Sequence, residues 1–162
     1  MSRFRGGREL KLIKAAGVLA CLVFAQMAGA TGKEEIEVRA TILKAMENWS
    51  ALAADANEAC YTTSDKAVFF DFTPMQYVGW ESYKNEIKKV QDTLQQFKIT
   101  LNDDLTVRVV GKIAYAHATW KMDFLFKDQT RRHLEGRLTE VLEKQKGKWK
   151  IVHEHASVPT PH

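Results

Sequence analysis

The chain has 162 residues, 45% hydrophobic and 10% aromatic, enough for one domain with a real core. Its formal charge of +4 comes from 24 Lys+Arg against 20 Asp+Glu, and five of those bases with one acid, Glu9, lie in the first 30 positions. The remaining 19 of each sign leave a near-neutral domain, so nothing implies the basic face that a nucleic-acid partner requires.

Arg3, Arg5, Arg8, Lys11 and Lys14 precede an apolar run from Ala15 to Ala28, and Ala28-Gly29-Ala30 supplies the small residues of a cleavage site. Residues 1–30 read as a secretory signal peptide and 31–162 as the domain, which places the product in the periplasm or outside the cell. The run falls short of the roughly 20 apolar residues of a membrane span, so no stable membrane insertion is expected after processing. Lipidation at Cys21 and retention of the run as an anchor are alternatives on the same residues. With the leader removed Cys60 has no partner in the chain, so its thiol is expected to be buried or to bridge two chains.

Ile36, Ala40, Leu43, Met46, Trp49, Ala53 and Ala56 recur at steps of three and four, with acids in the first turn. This predicts an amphipathic helix. A short helix or turn follows over Asn57 to Ser64, then a short strand over Ala67 to Phe72 containing Asp71. A second helix carries Tyr83, Ile87, Val90, Leu94 and Phe97 on one stripe. Beyond Phe97 the period drops to two. The strands predicted are Lys98 to Val110, interrupted at Asn102-Asp103-Asp104, then Lys112 to Phe126, Arg131 to Glu143 and Lys148 to Val158. Their short polar connections make antiparallel neighbours. The pattern is α+β: a long, curved antiparallel sheet wrapped around N-terminal helices into a cone, whose open end is a natural pocket. The tail from Pro159 reads as a frayed end.

The last strand, "GKWKIVHEHASVP", resembles that of SnoaL-like domains in the nuclear transport factor 2-like superfamily. It is similar above all to the association (hub) domain of calcium/calmodulin-dependent protein kinase II. The resemblance runs back through "TEVLEKQKGKW", "AYAHATWKMD" and "YVGWESYKNEI". It implies a cystatin-like roll, a homodimer through the outer face of the sheet, and a small-molecule pocket. The superfamily includes ketosteroid isomerase, cyclases, dehydratases and domains that only bind or assemble, so fold does not settle function.

Two arguments about strand faces conflict. Composition puts Ala114, Ala116, Ala118, Trp120 and Met122 inside. By the resemblance, pocket-lining basic residues of the hub fall at His117, Glu140 and Ala156, and a pocket histidine at Tyr83. That parity turns Tyr83, His117, Glu140, Glu154 and Ala156 inward and the alanines of "AYAHAT" outward, and it is the reading preferred. Asp71 matches a hub acid and is expected in the pocket wall. The arginines of the hub are absent, which argues against a carboxylate ligand.

His117 with Glu140 and Glu154 forms the candidate catalytic set, because a partly buried histidine–carboxylate pair can move protons near neutral pH. Tyr83 or Tyr115 could donate to a developing enolate oxygen. His153 and His155 share a strand face about 7 Å apart, which suits packing against a neighbour better than metal binding without a third ligand. No phosphate loop, nucleophile elbow or zinc-type spacing occurs, so no cofactor or metal is expected. Two functions remain: a binding module for a small organic molecule, or a cofactor-independent isomerase, cyclase or dehydratase of the ketosteroid isomerase-like type.

Overall fold

A computed structural model describes residues 32–72 and 74–160. The expected leader and the last two residues of the tail lie outside the described residues. The fold below is that of the compact unit within Glu35–His162. No helix among the described residues is long and apolar enough to cross a membrane.

Helix α1 covers residues 35–50 of this unit. Its buried stripe is Val38, Ile42, Ala45, Met46 and Trp49, whereas Ile36 and Leu43 are 70% and 50% exposed. Met46 and Trp49 of the predicted stripe are buried, but its first half is corrected: Ile36, Ala40 and Leu43 face outward, and Val38, Ile42 and Ala45 take their place. Polar anchors fix this rotation: Asn48 donates to Asn57 at 3.0 Å, and the Trp49 indole donates to the Tyr61 hydroxyl at 3.0 Å. Leu52, at φ 56°, turns the chain out of the helix, and a 3-10 turn follows at Ala54–Ala59.

Among the described residues seven strands form one sheet: β1 (Val68–Phe70), β2 (Tyr77–Val78), β3 (Leu94–Leu101), β4 (Thr106–Val110), β5 (Ile113–Phe126), β6 (Arg131–Gln145) and β7 (Lys148–Ser157). Helix α2 (Trp80–Gln91) separates β2 from β3. The order is β2-β1-β7-β6-β5-β3, and β4 takes the remaining stretch of the β5 edge. The break expected at Asn102–Asp104 is what divides β3 from β4. The sheet is curved and mixed rather than wholly antiparallel, because β1 runs parallel to β7. Its core, which gathers Val38, Ile42 and Trp49 of α1 with Ala114, Ala116 and Trp120 of β5, is continuous.

Helix α2 is shorter than predicted. Leu94 and Phe97 belong to β3, paired with Phe126 and Phe124 of β5. The Thr93 carbonyl accepts from the Lys127 amide at 2.9 Å, so the sheet captures the chain there instead of letting the helix continue.

Candidate functional site

Faces decide the site. On β5 the alternation is clean: Ala114, Ala116, Ala118, Trp120 and Met122 are buried, while Tyr115 and His117 are exposed. The inward placement of His117 and Tyr115 is thus corrected, as is the outward placement of the alanines. The physical reason is cross-strand register. Glu140 lies opposite Ala116, whereas His117 lies opposite Thr139, and residues directly opposite share a sheet face. His117 therefore cannot share a face with Glu140.

On β7 the alternation changes phase. Trp149 and Ile151 are buried, and then Glu154 and Ala156 are. Leu142 pairs with Ile151 but Val141 pairs with His153, so Val152 is an extra residue, a β-bulge. This one residue turns Glu154 and Ala156 inward and His153 and His155 outward. The histidines pack edge-on against Phe70, and His153 Nδ1 lies 2.7 Å from the Val68 carbonyl. That is the strand-packing role read from their spacing.

Glu140 and Glu154 are opposite partners on β6 and β7, and they are 0% and 5% exposed. Glu154 is well supplied with donors: the Tyr61 hydroxyl gives a bond to Oε2 at 2.5 Å and the Tyr83 hydroxyl one to Oε1 at 2.7 Å. Among the described residues no hydroxyl or N–H donor reaches either oxygen of Glu140. Burial first, then the charge on Glu154 and a hydrogen bond to it, push the Glu140 carboxyl well above the ordinary range. Glu140 is accordingly the protonated member of the pair. Burial and the same neighbouring charge hold the Tyr61 and Tyr83 hydroxyls in their neutral, donating form.

Beside this pair lies a cavity of ≈ 110 Å³. It brings together four residues singled out in the sequence, Asp71, Tyr83, Glu154 and Ala156. Glu140 sits behind Glu154 and does not line it. The remaining wall is mainly apolar, with Trp49, Phe72, Tyr77, Trp120 and Phe124 among its aromatic rings. The Asp71 carboxyl is raised to about 7: burial is the largest cause, the Phe72 amide opposes it, and the charge on Glu154 adds to it. Tyr61 was missed by sequence reasoning. It lies outside every regular element, and only its bridge to Ile151 sets it beside β7, a pairing with no local signal. Among the described residues no group of three His, Cys, Asp or Glu side chains could hold a metal ion.

The profile of the SnoaL-like domain matches residues 38–161, nearly the whole folded unit. The chain belongs to the SnoaL-like domain family. Solved structures agree on the fold of this SnoaL-like domain. A nuclear transport factor 2-like superfamily protein from Salmonella enterica subsp. enterica serovar Typhimurium str. LT2 is 22% identical, with a TM-score of 0.71 over 80% of this chain and 92% of its own. A candidate calcium/calmodulin-dependent protein kinase II association domain from Xanthomonas campestris is 20% identical, with a TM-score of 0.64 over 78% and 88%. A candidate dehydratase of the nuclear transport factor 2-like family from Streptomyces avermitilis is 14% identical, with a TM-score of 0.71 over 81% and 99%. At these identities the likeness is one of fold. No curated protein matches the chain.

Proposed function

We propose that this SnoaL-like domain binds one small, largely apolar organic molecule in the cavity beside Glu154. The observation that carries the reading is the wall itself: aromatic and aliphatic surface around a few polar groups, the usual make-up of a small-molecule site. At ≈ 110 Å³ the space is smaller than the roughly 150 Å³ apolar cavity that takes up benzene, so the ligand is no larger than about one ring. The emission of Trp49 and Trp120 provides the assay. Single-ring probes should change it in the wild type, and Ala156→Phe, which places a ring in the cavity, should weaken that binding at least about tenfold. A folded Ala156→Phe protein with unchanged affinity would overturn the reading.

One observation favours a second reading, proton-transfer chemistry without a cofactor. An acid at the cavity wall poised at about 7 is suited to general acid–base work at neutral pH, and that acid is Asp71, not His117. An isomerase, cyclase or dehydratase of this kind should lose at least about a hundredfold in turnover on Asp71→Asn while still binding its substrate. Retention of turnover excludes it.

Export and self-association belong to the same proposal. The basic and apolar leader would direct secretion, checked by the N-terminal sequence of the mature protein from its source. The outer sheet face, with exposed Tyr115 and His155, would join two copies, checked by light scattering in solution.

A further inference from the structure

The cavity is acidic, and nothing in its wall offsets that. Glu154 and Asp71 are its carboxyl groups, and no lysine, arginine or histidine lines it among the described residues. Glu154 is 5% exposed, the donors that reach it, the Tyr61 and Tyr83 hydroxyls and the protonated Glu140, are all neutral, and no cation among the described residues is paired with it. Glu140 behind it is held protonated and supplies no positive charge. A buried carboxylate without a cation is a costly arrangement, and such groups are normally paired or bound to metal. Among the described residues no cluster that could hold a metal ion supplies one here. A cation entering through the cavity would complete the pair.

The aromatic lining points the same way. Rings of Trp49, Tyr77, Tyr83, Trp120 and Phe124 border the space, and aromatic faces attract organic cations, most strongly where water is excluded. A carboxylate beside aromatic walls matches an ammonium group on an apolar body. The indole N–H of Trp120 finds no acceptor, but it is a neutral donor and does not offset two acids.

We infer that the ligand of this cavity is a small amine, bound as its ammonium ion against Glu154 and Asp71 within the aromatic wall, and that anionic ligands are excluded. This rests on the binding reading above and adds the chemical class.

The test uses three probes of nearly one size: benzylamine, benzyl alcohol and benzoate. Affinities are measured by calorimetry on the full-length protein at about pH 8, where the Asp71 carboxyl is largely ionised. Benzylamine should bind at least about tenfold more tightly than benzyl alcohol, and benzoate more weakly than either. In Glu154→Gln and Asp71→Asn the preference for the amine over the alcohol should shrink, and the wild-type comparison stands even if a variant does not fold. Benzoate or benzyl alcohol binding as tightly as the amine overturns this inference and leaves the binding proposal intact. Failure of all three probes to bind, with Ala156→Phe and wild type alike, overturns both.

Discussion

Glu140 and Glu154 face each other across β6 and β7, both buried, and the two tyrosine hydroxyls that reach the pair go to Glu154 alone. The asymmetry assigns the proton to Glu140 and fixes how stability depends on pH. In the unfolded chain this carboxyl titrates near 4.5, and in the fold it is raised well above that. Above the unfolded value the native state holds the extra proton, so stability falls as pH rises and is lost progressively through the folded value. The slope is at most about 1.4 kcal/mol per pH unit for one such group. Glu140→Gln keeps the shape and cannot ionise. Urea midpoints should show it gaining on the wild type between about pH 5 and about pH 8. An equal difference at both pH values would contradict the assignment.

Asp71 should titrate near 7 in carbon-13 spectra of its carboxyl group. Burial is the larger upward cause and the charge on Glu154 the smaller, so Glu154→Gln should lower the midpoint while leaving it above the ordinary 3.8. Ligands that need the ionised acid should lose affinity as pH falls through this range. Phe72, whose amide bonds Asp71 at 2.7 Å, packs 6.2 Å from Trp120, so tryptophan emission gives a second readout of the same titration. A midpoint that does not move in Glu154→Gln would show that the two acids are not coupled.

The long strands β5, β6 and β7 and their order were legible because period-two patterning is local, and the break at Asn102–Asp104 was visible for the same reason, whereas the start of β3 was not, since Leu94 and Phe97 also fit a helical stripe. The family motif in the last strand was equally legible. What was not legible depended on pairing. The bulge at Val152 is set by the register of β6 against β7, and strict alternation would keep Trp149, Ile151, His153 and His155 on one face. The face of His117 depends on which residue of β6 it meets. Composition alone gave β5 correctly, and carrying parity over from the resemblance did not. For Glu140, Glu154 and Ala156 the resemblance gave the buried face. Tyr61 needed the tertiary fold outright.

His117 is exposed on the outer face near Asp104, whose carboxylate is held low mainly by the Thr119 amide and hydroxyl. His117→Ala should change stability by no more than about 0.5 kcal/mol and leave probe binding in the cavity unchanged. Calorimetry and a denaturant midpoint decide it. A large loss of binding or turnover would restore His117 to the site.

Gly136 is where β6 passes over Trp120. A Cβ added there would overlap the indole ring and the Ser157 carbonyl, and Trp120 is only 1% exposed with no room to retreat. Gly136→Ala should destabilise by about 1–3 kcal/mol and distort the cavity wall that Trp120 forms. Thermal unfolding and probe affinity should both report it, because one ring serves core and site.

Tyr61 and Tyr83 both donate to Glu154, yet they should not be equivalent on substitution. Tyr61 also accepts the Trp49 indole N–H at 3.0 Å, so Tyr61→Phe removes one donor from a buried carboxylate and leaves a buried N–H without its acceptor. Tyr83→Phe removes only the donor. A hydrogen bond to a charged group contributes about 1.5–3 kcal/mol, and an orphaned buried donor adds about 1–3 kcal/mol. Tyr61→Phe should therefore be the more destabilising by about 1 kcal/mol or more. In a Glu154→Gln background the carboxylate share of each loss should shrink, whereas the Trp49 share of the Tyr61 loss should remain. Denaturant unfolding of the four combinations separates the two shares. Equal losses for the two tyrosines would mean that the Trp49–Tyr61 bond does not contribute to stability.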